Sequence, residues 1–173
     1  MVRGLQFAPQ RMNVLVFEVA GRRFAVPASD VQELVRAVAI VPLPGAPPIV
    51  EGVIDLRGTI VAVLDFRARF ALPPDALDPA QQLLILVDGA RRVVFRIDRA
   101  LGLESPSDES IAAAAPIAVG SRLVVGVVAL ADGLAVIHDV RKFLDEGEQS
   151  SLEGALRAAA PLGFPQALEA EHP

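Results

Sequence analysis

Arg57 and the glycine that follows it, Gly58, stand between two apolar runs, Val53-Ile54-Asp55-Leu56 and Ile60-Val61-Ala62-Val63-Leu64. A guanidinium presents N–H donors in a rigid fork that matches a carboxylate, so its chemistry is recognition and not bond breaking. At the end of an apolar hairpin it must reach water, an acid or a partner protein. Its purely structural role would be to pair with a neighbouring acid, Glu51 or Asp55, and steady the turn. The other group suited to chemistry is His138, beside Asp139. Neighbours on a strand face opposite ways, and no G-x-S-x-G nucleophile turn occurs, so His138 reads as a partly exposed strand-end residue. The chain has no cysteine, D-x-D-x-D-G loop, Walker lysine or G-x-G-x-x-G. No catalytic, cofactor-binding or metal-ligating residue is therefore expected.

Composition narrows the classes further. A length of 173 residues with 53% apolar content allows one compact domain or two small packed subdomains. The net charge of −5 argues against nucleic acid, which needs a concentrated basic face. Ile111 to Val119 is alanine-rich but broken by Pro116, too short to insert in a bilayer. Arg3 is followed by Gly4, Gln6, Pro9 and Gln10 instead of an apolar run, so no export signal is expected and the cytoplasm is the default.

The elements that must hold Arg57 read mostly as hairpins. Val14–Val19 and Phe24–Val26 flank Ala20-Gly21, after a loose lead-in. Ser29 and Gln32 make a capping box for a short helix with Val31, Leu34 and Val35 on one face. A strand at Val38–Val41 leads into a proline-rich connector, 42–48, and then into the central hairpin. After a helical turn at Phe66–Phe70, the polar stretch 71–82 is the expected crossing between subdomains. Leu83–Val87 and Arg92–Ile97 flank Asp88-Gly89, a strong hairpin signal. Asp98–Glu104 reads as irregular. Leu123–Leu130 and Leu134–Ile137 form the last hairpin, before a closing helix at Asp139–Leu144. Ser150 and Glu153 suggest a capping box for a docking helix through Ala160, ended by Pro161. The pattern predicts an all-β fold, sandwich or barrel, with hairpins on either side of 71–82 forming two similar small barrels.

Taken in order, Leu15-Val16-Phe17, Phe24-Ala25-Val26-Pro27, Val31-Gln32-Glu33-Leu34-Val35, Gly52 to Gly58, Ile60 to Arg67, Val94 to Asp98 and Gly126-Val127 with Asp132 to Val140 resemble the chemotaxis coupling proteins of the CheW family. The resemblance covers roughly residues 12–146. It implies two packed five-stranded SH3-like barrels with a few short helices, spanning 1–147, and a partly helical tail at 148–173 outside the family pattern. It implies a non-catalytic scaffold that links the cytoplasmic tip of chemoreceptors to the regulatory domain of the histidine kinase CheA. Such a protein would be a monomer outside arrays, recruited to receptor arrays at the inner face of the membrane without inserting in it. Carried over residue by residue, Val31, Glu33, Arg57 and Gly58 would face the receptor, with Leu103 joining them from the second half. Asp55 stands where the family usually has asparagine, and Arg96 interrupts a strand that is normally apolar. A different class remains open on the residues alone: a small-ligand sensor barrel with its pocket between the subdomains. Ligand-dependent thermal stabilisation would mark that class, and co-sedimentation with receptor and kinase would mark the scaffold.

Overall fold

The computed structural model describes residues 12–107, 110–113 and 122–160. The lead-in, the greater part of the 111–119 stretch and the chain from Pro161 onward lie outside them. The strands are β1 (Val14–Val19), β2 (Arg22–Pro27), β3 (Val31–Arg36), β4 (Val50–Leu56), β5 (Thr59–Leu64), β6 (Gln82–Asp88), β7 (Arg91–Ile97), β8 (Arg99–Glu104), β9 (Ile111–Ala113), β10 (Val124–Leu130) and β11 (Gly133–His138). Two helices accompany them, α1 (Phe66–Arg69) and α2 (Glu146–Ala159).

Among the described residues the strands form two sheets, one ordered β8-β1-β2-β11-β10-β9 and one ordered β3-β6-β7-β5-β4. The first carries a sixth, three-residue strand, β9, at its edge. Each sheet encloses a small core of its own. Val14, Val16, Ala25, Val128, Ala135 and Ile137 fill the six-stranded one, and Ile54, Val61, Val63, Leu83, Ile85 and Val94 fill the other. The opposite faces of the same strands meet in a third and larger core. There Leu15, Phe17 and Phe24 pack on Leu84, Leu86 and Phe95, with Phe66 and Phe143 between them. Phe66 makes edge contacts with Phe17 and Phe24 at 5.4 and 4.8 Å between centroids. With both faces covered, β1 is apolar nearly throughout instead of alternating. Two small barrels share one interior, which neither could bury alone.

Connectivity departs from the expected division at 71–82. Both ends of that stretch belong to the five-stranded sheet, because it joins α1 to β6. The chain passes between sheets at Ala28–Asp30, a single 3-10 turn, and again at Asp98 between β7 and β8. The N-terminal hairpin is thus built into the barrel made by the C-terminal strands, through a parallel pairing of Phe24 with Val136. Arg96 supplies the order that 71–82 lacks in hydrogen-bonded strands. It donates to the carbonyls of Asp75 and Ala76 and to Gln81 Oε1, and pairs with Glu51 at 2.9 Å.

Three further local expectations are corrected. Val31–Arg36 is a strand and not a helix, Asp98–Glu104 contains the strand β8, and Val38–Val41 contributes only the single bridge Val41↔Val53. The C-terminal helix starts earlier than Ser150. Its cap is Asp145, which accepts from the Glu148 amide at 2.8 Å while Glu148 accepts from the Asp145 amide at 3.0 Å. Leu152, Ala155 and Ala159 bury that helix in the shared core.

Candidate functional site

Arg57 and Gly58 are the two central residues of the β4–β5 hairpin, with φ of +54° and +85°. Positive φ at both positions is the turn whose twist matches the flanking strands, and it favours Asn-Gly. Holding an arginine there costs about 1–2 kcal/mol, since its β-carbon crowds the next carbonyl. Asp55 offsets part of that by accepting the Gly58 amide at 2.6 Å. Neither acid expected to steady Arg57 does so, for Asp55 caps the turn and Glu51 belongs to Arg96. The guanidinium instead forms a fork with Glu33, Nη1 to Oε1 at 3.1 Å and Nη2 to Oε2 at 2.7 Å. The Arg57 side chain stays 74% exposed within that pair, and Glu33 is 20% exposed.

A bulge at Gln32 decides which way Glu33 points. Val31 pairs with Leu86 but Glu33 pairs with Ile85, so one residue of β3 is left over. Paired residues share a face. Val31 therefore turns to the shared core with Leu86, Leu34 lies on that same face opposite Leu84 but stays 37% exposed, and Glu33 and Val35 turn inward with Ile85 and Leu83. The i, i+3 spacing of Val31 and Leu34 that imitates a helix is the signature of this extra residue. Strands β3 and β4 are the two ends of their sheet, so the Glu33–Arg57 fork also spans the gap that an open sheet leaves.

The five site residues do not form one cluster. Glu33, Arg57 and Gly58 come together at the mouth of the five-stranded barrel. Val31 is half-buried at the margin of the shared core. Leu103 lies on the other sheet, opposite Leu15 on the edge strand β8, and is 70% exposed. What joins it to Val31 is the shared core, since Leu15 and Val31 both pack there.

Arg67 is a structural residue that sequence reasoning missed. It donates to the Pro73 carbonyl at 2.9 Å and to Asp98 Oδ1 at 2.5 Å, and lies 3.4 Å from Asp75. The second Asp98 oxygen accepts the Ala20 amide at 2.7 Å. One arginine thereby fastens the β1–β2 turn of one sheet to α1 of the other.

His138 is buried, not partly exposed, in a cage of Phe24, Phe66 and Phe70 at ring centroid distances of 5.6, 6.1 and 4.6 Å. Neither ring nitrogen has a hydrogen-bond partner within ordinary bonding geometry among the described residues. Burial lowers its pKa from 6.5 to about 4, with the Leu123 carbonyl pulling weakly the other way. Asp139 turns away to Arg141, at 2.9 Å from Nε, so there is no His–Asp dyad. Burial raises the Asp139 carboxyl, but the Arg141 side chain and amide outweigh it and leave the pKa below the ordinary range. The unfolded chain protonates His138 near 6.5 and the folded chain only near 4. Between those values the unfolded state binds more protons, so stability is expected to fall on acidification by about 3 kcal/mol in all. Urea titrations at a series of pH values should show this slope, and His138→Phe should remove it.

Among the described residues no group of three or more potential metal ligands exists, and no helix is long and apolar enough to cross a membrane. The family model for the CheW-like domain matches residues 13–148. This chain belongs to the CheW-like domain family. The chemotaxis protein CheW of Klebsiella aerogenes is 25% identical over 146 residues, covering 83% of this chain and 88% of that one. The chemotaxis protein CheW of Rhizobium meliloti is 32% identical over 101 residues, 57% of this chain and 64% of the relative. The crystal structure of scaffolding protein TtCheW from Thermoanaerobacter tengcongensis superposes with a TM-score of 0.72 at 22% identity, covering 85% of this chain and 96% of that one. That likeness confirms the pair of SH3-like barrels. As a CheW-like domain the chain is a non-enzymatic adaptor in chemotaxis signalling, and the sensor-barrel alternative is not favoured.

Proposed function

We propose that this protein couples the cytoplasmic tips of chemoreceptors to the regulatory domain of a CheA-type histidine kinase. It would work in the cytoplasm at the inner face of the membrane, as a monomer outside the array. The receptor would meet Glu33, Arg57 and Gly58 at the barrel mouth, and Val31 and Leu103 along the margin of the shared core. One observation carries this reading: a strained arginine is kept where Asn or Gly would fit better, and its fork is paired with Glu33 yet left open to solvent. Strain of this kind concentrates at functional positions. Leu34, next to Glu33 on the edge strand β3, and Leu103, on the edge strand β8 of the other sheet, offer apolar anchors that are 37% and 70% exposed. An amphipathic helical hairpin needs such anchors together with rim charges that fix its register.

Arg57→Asn separates recognition from folding. It relieves the backbone and removes an exposed ion pair worth about 0–1 kcal/mol, so thermal stability should be equal or slightly higher. Binding to a receptor cytoplasmic fragment should weaken roughly tenfold to a hundredfold, as for a truncated arginine hot spot. Receptor binding that survives in a folded Arg57→Asn protein removes Arg57 from the interface. A separate titration with the kinase regulatory domain tests the other half of the coupling.

A further inference from the structure

A groove of about 1170 Å³ runs between α2 and the outer face of the five-stranded sheet. Ile60, Ala62 and Val93 form its floor, and Leu144, Leu152 and Leu156 its wall. Ile60, Val93, Leu144 and Leu156 are only half-buried, although they adjoin the shared core. At its rim Arg91 and Arg92 are exposed at the start of β7 and make no ion pair among the described residues. On a chain of net charge −5, two adjacent free guanidiniums beside open apolar surface fit an acidic, apolar segment.

We propose that residues 161–173 of this same chain fill the groove. Helix α2 lays Leu152 and Leu156 along the wall and ends at Ala159, so the following segment leaves beside the groove. Thirteen residues reach up to roughly 40 Å when extended, against roughly 11 Å of helix between Gln149 and Leu156. The segment carries Leu162, Phe164 and Leu168 as apolar anchors, followed by Glu169 and Glu171, with no lysine or arginine. Pro161 and Pro165 keep it from extending α2, which leaves its side chains free to enter the groove. The two glutamates match Arg91 and Arg92 in number and opposite charge. Gln32 and Thr59 line the same groove and are sequence neighbours of Glu33 and Gly58, so a docked segment would lie beside the proposed partner site.

The sequence contains no tryptophan and no tyrosine, so Phe164→Trp in the full chain introduces a single indole reporter. Docking predicts blue-shifted emission and iodide quenching several-fold weaker than for the same segment as a free peptide, independent of protein concentration. Adding Arg91→Glu and Arg92→Glu should lower the docked-to-undocked ratio roughly tenfold and move the emission toward that of the peptide. Glu169→Arg with Glu171→Arg should do the same from the other side, with circular dichroism unchanged. Solvent-exposed emission in the full chain overturns the proposal. Concentration-dependent burial, which would mean a second copy, overturns it, as does burial insensitive to both charge reversals, which would mean another surface.

Discussion

Gly52→Ala should cost about 4 kcal/mol of folding stability, the sum of an overpacked contact and lost buried hydrogen bonds. A β-carbon at position 52 would stand 2.8 Å from both Val41 C and Ile40 Cγ2, and closer still to the Val41 carbonyl oxygen. The obstacle is backbone, so no rotamer change relieves it. The 37–49 link would have to lift away from β4. That motion breaks the reciprocal bonds between Val41 and Val53, at 2.9 and 2.8 Å, and Val53 is only 1% exposed. It would also disturb Ile40, which packs against the inner core of that barrel. Gly58→Ala is the control. The space around Gly58 is open, so only the left-handed backbone resists, at a cost of about 1 kcal/mol. Urea unfolding of the two variants should separate them by a clear margin. Equal losses would mean that the link yields easily and does not close the barrel.

The hairpins were legible because their information is local. Ala20-Gly21, Arg57-Gly58 and Asp132-Gly133 each punctuate two apolar runs, and the structure places strands on both sides of each. Which hairpins share a sheet was not legible. The parallel pairings of β2 with β11 and β5 with β7 join residues far apart in sequence and leave no periodic trace. Strand β3 misled for a definite reason, because a single bulged residue converts a period of two into a spacing of three. Strand β8 was hidden by Gly102 and by its exposed, weakly apolar sequence. The start of α2 was displaced because Ser150-x-x-Glu153 and Asp145-x-x-Glu148 are both valid capping boxes, and only the fold selects between them. Arg57 stood out from its turn, but its true partner did not. Glu33 lies 24 residues away and reaches Arg57 only because the bulge turns it inward. The crossing expected at 71–82 was inferred from polarity and proline. The same composition equally serves a loop pinned by buried arginines.

Arg67→Ala is expected to loosen the two barrels from each other and to destabilise the fold by about 3 kcal/mol, toward the low end for removing one partner of a buried ion pair. The Arg67 side chain is 9% exposed and Asp98 27%, so water screens the pair partly from the acid's side. With Arg67 gone, the Pro73 carbonyl and Asp98 Oδ1 lose their donors at the seam between sheets. Asp98 then holds only the Ala20 amide, at a turn residue with φ of +52°. Lysine is not an adequate replacement, because a point charge cannot serve Pro73, Asp75 and Asp98 from one planar fork. Asp98→Asn is the complementary variant. It keeps an oxygen for Ala20 but turns a donor or a neutral acceptor toward the guanidinium, and it should lose stability through the charge alone. Hydrogen exchange distinguishes a hinge from a general weakening. Amides of the β1–β2 turn and of α1, which Arg67 and Asp98 tie together, should lose protection first, while those of the strands lining each inner core away from the seam, around Ile137 and Ile85, keep theirs. Uniform loss of protection across both barrels would show that Arg67 supports a single cooperative unit and not the joint between two.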